Sequence, residues 1–422
     1  MIRTDRFCVW IFIMMFACLT FSNVIKFSDE LCSFLLAGIA TLDCIVNGRL
    51  GRYRLLWIIM GILFFYLAYS ISFLNYNSIG AIFGDYVIQI KPYIPFVIFM
   101  AINPEFTSAD KKILRYIAIF NVIYCSFFLY IYPSGITPAL EYISYAGMFI
   151  FVSALVYLYT SRDEDGYVSE IDRWITVVML VSGLGCTRSK YYGMFILALF
   201  FILAYRPGIL RKLSLKRSIG LTTVAVLVIA VSWSKIEYYF IEGVKGSGDE
   251  IEILESFARP AMYAGAGMIL WDHFPLGTGL ASFGTIYSAS PHYSKVYAEY
   301  SLDKVHGLSE DYGPFICDAF YPELAQFGII GVILYIWFWI YVCKFLKQGI
   351  RANPDHNKYI YIAGTLCVRF LLIEGIANTT FVQATGMMTM MLLGEICSLA
   401  SNKAYKPESF RSIPRKDTPV YI

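Results

Sequence analysis

Long apolar runs, each ended by a short polar stretch, recur along most of the chain. Runs near 20 residues match a helix crossing ~30 Å of hydrocarbon. Twelve such segments fall near residues 8–23, 31–47, 54–74, 85–101, 113–132, 141–160, 173–187, 191–205, 219–235, 326–346, 359–376 and 378–399. The pattern predicts an all-α polytopic membrane protein with about 12 transmembrane helices. Between the ninth and tenth segments the rhythm stops, leaving one large, partly helical loop. The chain therefore divides into 1–235 with spans one to nine, 236–325 as the loop, 326–401 with spans ten to twelve, and a 402–422 tail. That tail mixes Lys, Arg, Ser and Pro with few large apolar residues, as flexible ends do.

Within the loop, Ser247-Gly248-Asp249 reads as a helix start, with Glu250 and Glu252 in the favourable first turn. A helical pattern continues through Ile253, Leu254, Phe257, Met262 and Ile269, where Pro260 either kinks the helix or starts a second one. Pro275-Leu276-Gly277-Thr278-Gly279 ends it in a tight turn. A tyrosine-rich stretch follows through His306, and a last helix opens near Pro314 or Pro322 and enters the span that begins at Gln326.

The placement of charge adds sidedness. Lysine and arginine collect in alternate connections: Arg3 and Arg6; Arg49, Arg52 and Arg54; Lys111 and Lys112; Arg162 and Arg173; Arg206 to Arg217; Lys344 to Lys358; and the tail. Basic loops stay on the cytoplasmic side, so both termini are expected there and the large loop on the outer face. Composition agrees with the membrane reading: 58% hydrophobic residues, 15% charged residues and a mean hydropathy of +0.60 exclude an ordinary soluble domain. The ten cysteines lie almost entirely in apolar spans without a metal-type spacing, which suits small buried hydrophobes. Arg3, Arg6 and the following apolar run resemble a signal peptide but lack a small-residue cleavage site, so they read as an uncleaved first span.

Charges near apolar spans are costly and are usually paired or functional. Arg188 and Lys190, in Thr187-Arg188-Ser189-Lys190, fall between two spans at the outer surface and would either hold a phosphate headgroup or snorkel to lipid. Arg259, the one arginine of the loop, offers a two-pronged grip on diphosphate oxygens, or an ordinary ion pair with Glu255. His306, Glu310, Asp311, Asp318 and Glu323 supply candidate bases for a hydroxyl proton. His273 and His292 are weaker candidates of the same kind. Lys91 lies early in the fourth span, while Arg369 and Glu374, five apart in the eleventh, each need partners elsewhere. Tyr321 and other loop tyrosines offer flat faces on which sugars stack.

These residues resemble the O-antigen polymerase and ligase superfamily of bacterial inner membranes, the Wzy-type polymerases and their ligase relatives. Thr187-Arg188-Ser189 with Gly193 is similar to that family's arginine segment between two helices, although here the serine follows the arginine. Arg259 followed by Trp271-Asp272-His273-Phe274-Pro275-Leu276-Gly277-Thr278-Gly279 and Phe283 is similar to its arginine and "hPllGvGlgnf" stretch. Asp318 through Gly331 is similar to its entry into the span after the loop, except that ligases carry a histidine where this chain has Cys317-Asp318. That departure favours a polymerase over a ligase.

The resemblance implies a metal-independent membrane glycosyltransferase at the periplasmic face, without cofactor or nucleic-acid partner. It would join undecaprenyl-pyrophosphate-linked oligosaccharide repeat units into an O-antigen or capsule in lipopolysaccharide or related polysaccharide biosynthesis. A chain-length regulator is a possible partner. Arg188, Arg259, Asp318, His306 and Glu310 would be catalytic, with Lys91, Lys190, Glu323 and Tyr321 binding substrate. The helices would provide a lipid-facing groove for the polyprenyl tail. The alternatives are an O-antigen ligase acting on the same carrier and a flippase or solute transporter.

Overall fold

Helices of membrane-spanning length pack side by side and carry irregular segments at their ends. The computed structural model describes residues 4–48, 50–207, 233, 237, 257–312, 316 and 319–404. The expected ninth span (219–235, apart from Trp233), the helix start at Ser247, Asp318 and the tail beyond 404 lie outside the described residues. The main helices are α1 (Thr4–Cys18), α2 (Ser28–Asn47), α3 (Arg54–Tyr69), α4 (Ile79–Ile90), α5 (Tyr93–Ile102), α6 (Ser108–Ser126), α7 (Ile136–Leu140), α8 (Ile143–Thr160), α9 (Glu170–Ser182) and α10 (Ser189–Leu199). After the undescribed stretch come α11 (Ala258–Asp272), α12 (Lys295–Glu299), α13 (Phe320–Glu323), α14 (Gly328–Ala352), α15 (Lys358–Glu374) and α16 (Ala384–Ala404). No strand occurs among the described residues.

Each of the other eleven expected segments carries a helix, but among the described residues six helical stretches are both long and apolar enough to cross a membrane. Those six establish a membrane-embedded all-α protein; a count of twelve crossings goes beyond them. The fourth segment is broken. Pro92 has no N–H to give and separates α4 from α5 at Lys91. Two helices are interior: α8 is buried continuously from Ala146 to Thr160, and α16 is buried from Thr385 to Cys397. Apolarity on every side is what a helix shielded from both lipid and water shows. By contrast, α3 and α14 present Phe64, Phe65, Ile333 and Ile340 outward, as lipid-facing helices do.

The basic connections meet at one end. Arg6 bonds Asp110 at 2.7 Å, Arg52 donates to the carbonyl of Ala101 at 2.7 Å, and His356 Nδ1 lies 2.6 Å from the carbonyl oxygen of Asp165. The large loop sits at the opposite end. It has its own core, built from Met262, Ile269, Phe283, Val296, Tyr297 and Leu302.

One part of the loop descends into the bundle. Residues 277–285 are buried without a break, although they belong to no helix. Irregular backbone survives at such a depth only when protein groups satisfy its amides. Here Leu280 N–H donates to Ser70 Oγ (2.7 Å), Ala281 N–H to Asp85 Oδ2 (2.7 Å), Gly279 N–H to the Gln326 carbonyl (2.8 Å) and Gly284 N–H to Tyr297 Oη (2.8 Å). Asn77 reaches the carbonyls of Ala281 and Tyr287 at 2.9 and 3.0 Å. Gly277 and Gly328 lie face to face with positive φ of 75° and 62°, and a Cβ on either would strike the other's backbone.

Gly277→Ala should therefore lower thermal stability through steric conflict and left-handed strain, by roughly 1–3 kcal/mol. Gly267→Ala, in a helix with open space at the new methyl, should be neutral or slightly stabilising. Melting both variants in detergent checks this, and equal melting temperatures would show that the buried turn is not held by close backbone approach.

Candidate functional site

The end of α15 nearest the loop gathers the polar groups. A helix terminates with carbonyls that have no partner of their own. Here the helix end and the turn after it are held from the loop: Tyr321 Oη–H donates to the Leu372 carbonyl (2.5 Å), and beyond the helix Phe320 N–H donates to the carbonyl of Gly375 (3.1 Å) and Tyr263 Oη–H to that of Ile376 (2.8 Å). Burial pushes the Tyr263 hydroxyl well above the usual phenol range, with Arg259 pulling the other way, so it remains a donor. Glu374, the last residue of α15, is 3% exposed, forms an ion pair with Lys190 Nζ at 2.5 Å and accepts a hydrogen bond from Asn378 Nδ2 at 3.2 Å.

Two arginines border this end. Arg188 is the N-cap of α10 in extended conformation, just after Thr187, whose φ of 52° forces a sharp turn out of the preceding helix. Its guanidinium is exposed and makes no ion pair among the described residues, and its field, with those of Lys190 and Glu374, reaches the buried Cys186 thiol. Arg259 occupies the first turn of α11, four residues before Tyr263, and so shares its helical face. Pro260 follows in that same turn, where no N–H is required, so it starts the helix rather than kinking it.

The other expected site residues separate. Lys91 is 6% exposed and held between Asp29 and Glu30, each at 2.8 Å, so its charge is already matched. Glu323 is buried and takes a hydrogen bond from the Gln89 amide, which also reaches Asp85 at 3.4 Å. It thus faces the underside of the loop rather than the open end. His306 and Glu310 are exposed on the loop, flanking the buried Leu308. Asp311 is exposed beside Glu310, His273 packs edge-on against Tyr76, and the backbone carbonyl of His292 accepts from Asn77. Arg369 and Glu374 do have partners elsewhere: Arg369 lies over the Phe201 ring at 4.7 Å and bonds the Thr365 carbonyl, while Glu374 takes Lys190. No group of three or more potential metal ligands occurs among the described residues.

Sequence reasoning missed Asp85 and Gln89. They stand one turn apart in an apolar helix, and a carboxylate in such a run is signal enough. Beside the site, a cavity of about 920 Å³ opens between α11, α13, α14 and α15. It runs from Tyr263 and Tyr321 along α14 to Lys344, Lys347 and Arg351. No protein-family model matches this chain, and no curated protein matches it.

Removing Lys190 leaves Glu374 buried beside an amide alone. Lys190→Met should destabilise the protein by roughly 3 kcal/mol, whereas Lys190→Met with Glu374→Gln should recover most of the loss. Thermal melts of the two singles and the double give the coupling, and simple additivity would remove the pair from the structural account.

Proposed function

We propose that the chain is a polymerase that joins oligosaccharide repeat units carried on undecaprenyl pyrophosphate, working at the outer face of a bacterial inner membrane. The observation that carries this reading is the convergence of cationic segments on one helix end. Arg188 stands at the N-cap position of α10, whose Lys190 pairs with Glu374 of α15, and Arg259 lies one turn from Tyr263, which holds the Ile376 carbonyl just past the same α15. This end is opposite the basic connections, so the positive-inside rule puts it outside the cytoplasm.

In the proposed reaction the acceptor sugar hydroxyl oxygen forms the new bond to the donor's anomeric carbon. The bond from that carbon to the diphosphate oxygen breaks, and the leaving diphosphate takes its electron pair. Negative charge grows on the diphosphate, and guanidinium groups fixed beforehand stabilise it without reorganising. Arg188 is the freer of the two, and Lys190 has half its task taken by Glu374. The acceptor's proton passes to a carboxylate or imidazole, for which the loop offers His306, Glu310 and Asp318. The relative that would use the same carrier chemistry, a ligase, is disfavoured by Cys317-Asp318 in place of a histidine. A transporter is disfavoured by the position of the cations at a helix end instead of mid-helix.

Purified protein in vesicles with the lipid-linked repeat unit should build a ladder of products. Arg188→Ala and Arg259→Ala should each slow ladder formation by about a hundredfold or more. Lysine at either position should restore little, because it lacks the planar fork. Full-length ladders from both alanine variants would end this reading.

A further inference from the structure

The cavity beside α14 has two unlike ends. Val332, Ile336 and Ile340 line its first part, and Lys344, Lys347 and Arg351 its last. Steps of three and four residues keep all six on one helical face. From Val332 to Arg351 that face runs about 28 Å at the helical rise, close to the thickness of a bilayer core. All three cations are exposed, and none forms an ion pair among the described residues. At the other end no charged side chain lines the cavity, the hydroxyls of Tyr263 and Tyr321 are committed to the carbonyls of Ile376 and Leu372, and Tyr335 is nearly buried.

An occupant must therefore place its polar group at Lys344–Arg351 and its apolar body toward the tyrosines. We propose that the cavity is a binding site for an anionic diacyl phospholipid from the leaflet on the basic side, its phosphate among Lys344, Lys347 and Arg351 and its chains along Ile340, Ile336 and Val332. Basic pockets between membrane helices hold phosphate headgroups in this way, with the field of three cations favouring an anionic lipid over a zwitterionic one. The proposal is independent of the polymerase reading. A donor whose diphosphate rested against Arg188 and Arg259 would have its charge at the opposite end of the same groove, so one occupant cannot satisfy both ends.

The test uses the full chain purified in mild detergent and equilibrated with equimolar phosphatidylglycerol and phosphatidylethanolamine, with retained lipids identified by native mass spectrometry. Three versions are compared with the parent: Lys344→Gln/Lys347→Gln/Arg351→Gln; the groove-filling Val332→Trp/Ile336→Trp; and Arg54→Gln/Lys111→Gln/Lys112→Gln, which removes equal charge at the same end away from the cavity. The parent and the last variant should retain phosphatidylglycerol in preference, while the first should lose that preference by about fivefold for each cation removed. The groove-filled variant should retain neither lipid. Equal loss in the control variant would reduce the effect to general surface charge and overturn the proposal. So would phosphatidylglycerol retained by the groove-filled protein, or a co-purified polyprenyl diphosphate as the lipid released by the cation variant.

Discussion

The structure depends on one constraint: a stretch of irregular backbone lies inside the helical bundle, and each buried amide in it needs an acceptor. Residues 279–281 meet it with groups from three separate parts of the chain, namely Ser70 just past the end of α3, Asp85 on α4 and Gln326 at the entrance of α14. A buried amide left unpaired costs roughly 1–3 kcal/mol. Several such costs together would prevent the turn from entering at all. The polar residues scattered through these apolar helices are thus explained by the loop they receive. Even the local distortion at the end of α3 fits, because the wide turn from Ser70 to Leu74 leaves Ser70 Oγ free to accept from Leu280 while donating to the Tyr66 carbonyl.

The same constraint accounts for the behaviour of Glu323. A carboxylate at that position in the sequence looks available to a substrate, but the chain around it is drawn down with the turn. Gly284, at a φ of 76°, packs against the backbone of Glu323, which leaves the side chain pointing toward Gln89 and Asp85. Lys91 follows a parallel logic. The break that Pro92 makes in the fourth segment exposes a gap between α4 and α5, and the lysine placed there is neutralised by Asp29 and Glu30 at the start of α2. Both are buried ionisable residues, and both join separate segments of the chain.

Hydrophobic runs of spanning length made the helical architecture legible, because burial in hydrocarbon forces long uninterrupted apolar stretches regardless of tertiary detail. Arg188 was legible for a similar reason, since a cation between two spans stands out against its surroundings. What could not be read was pairing. Lys190 and Glu374 lie far apart in sequence, and no local pattern joins them. Among the described residues six stretches qualify as crossings, fewer than the apolar segments, because helices such as α9 (13 residues) and α15 (17 residues) fall short of a full crossing and the expected ninth span lies outside the described residues. Asp85, the one acid in an apolar run, marked itself as unusual, but the amide it accepts from, that of Ala281, is nearly two hundred residues away and no local pattern names it.

A single short element links the buried turn to the cationic end. Helix α13 spans only Phe320–Glu323. Its last residue bonds Gln89 beneath the loop, while its first two hold the end of α15 and the turn after it through the Phe320 amide and the Tyr321 hydroxyl. Four residues cannot rotate to break one set of bonds and keep the other. Seating the turn against α4 therefore fixes the distance from the loop to the end of α15, where Glu374 holds Lys190 and thereby α10 with Arg188 at its N-cap position. The loop's depth in the bundle and the spacing of the cations are consequently one geometric variable, set by buried hydrogen bonds rather than by the exposed surface of the loop.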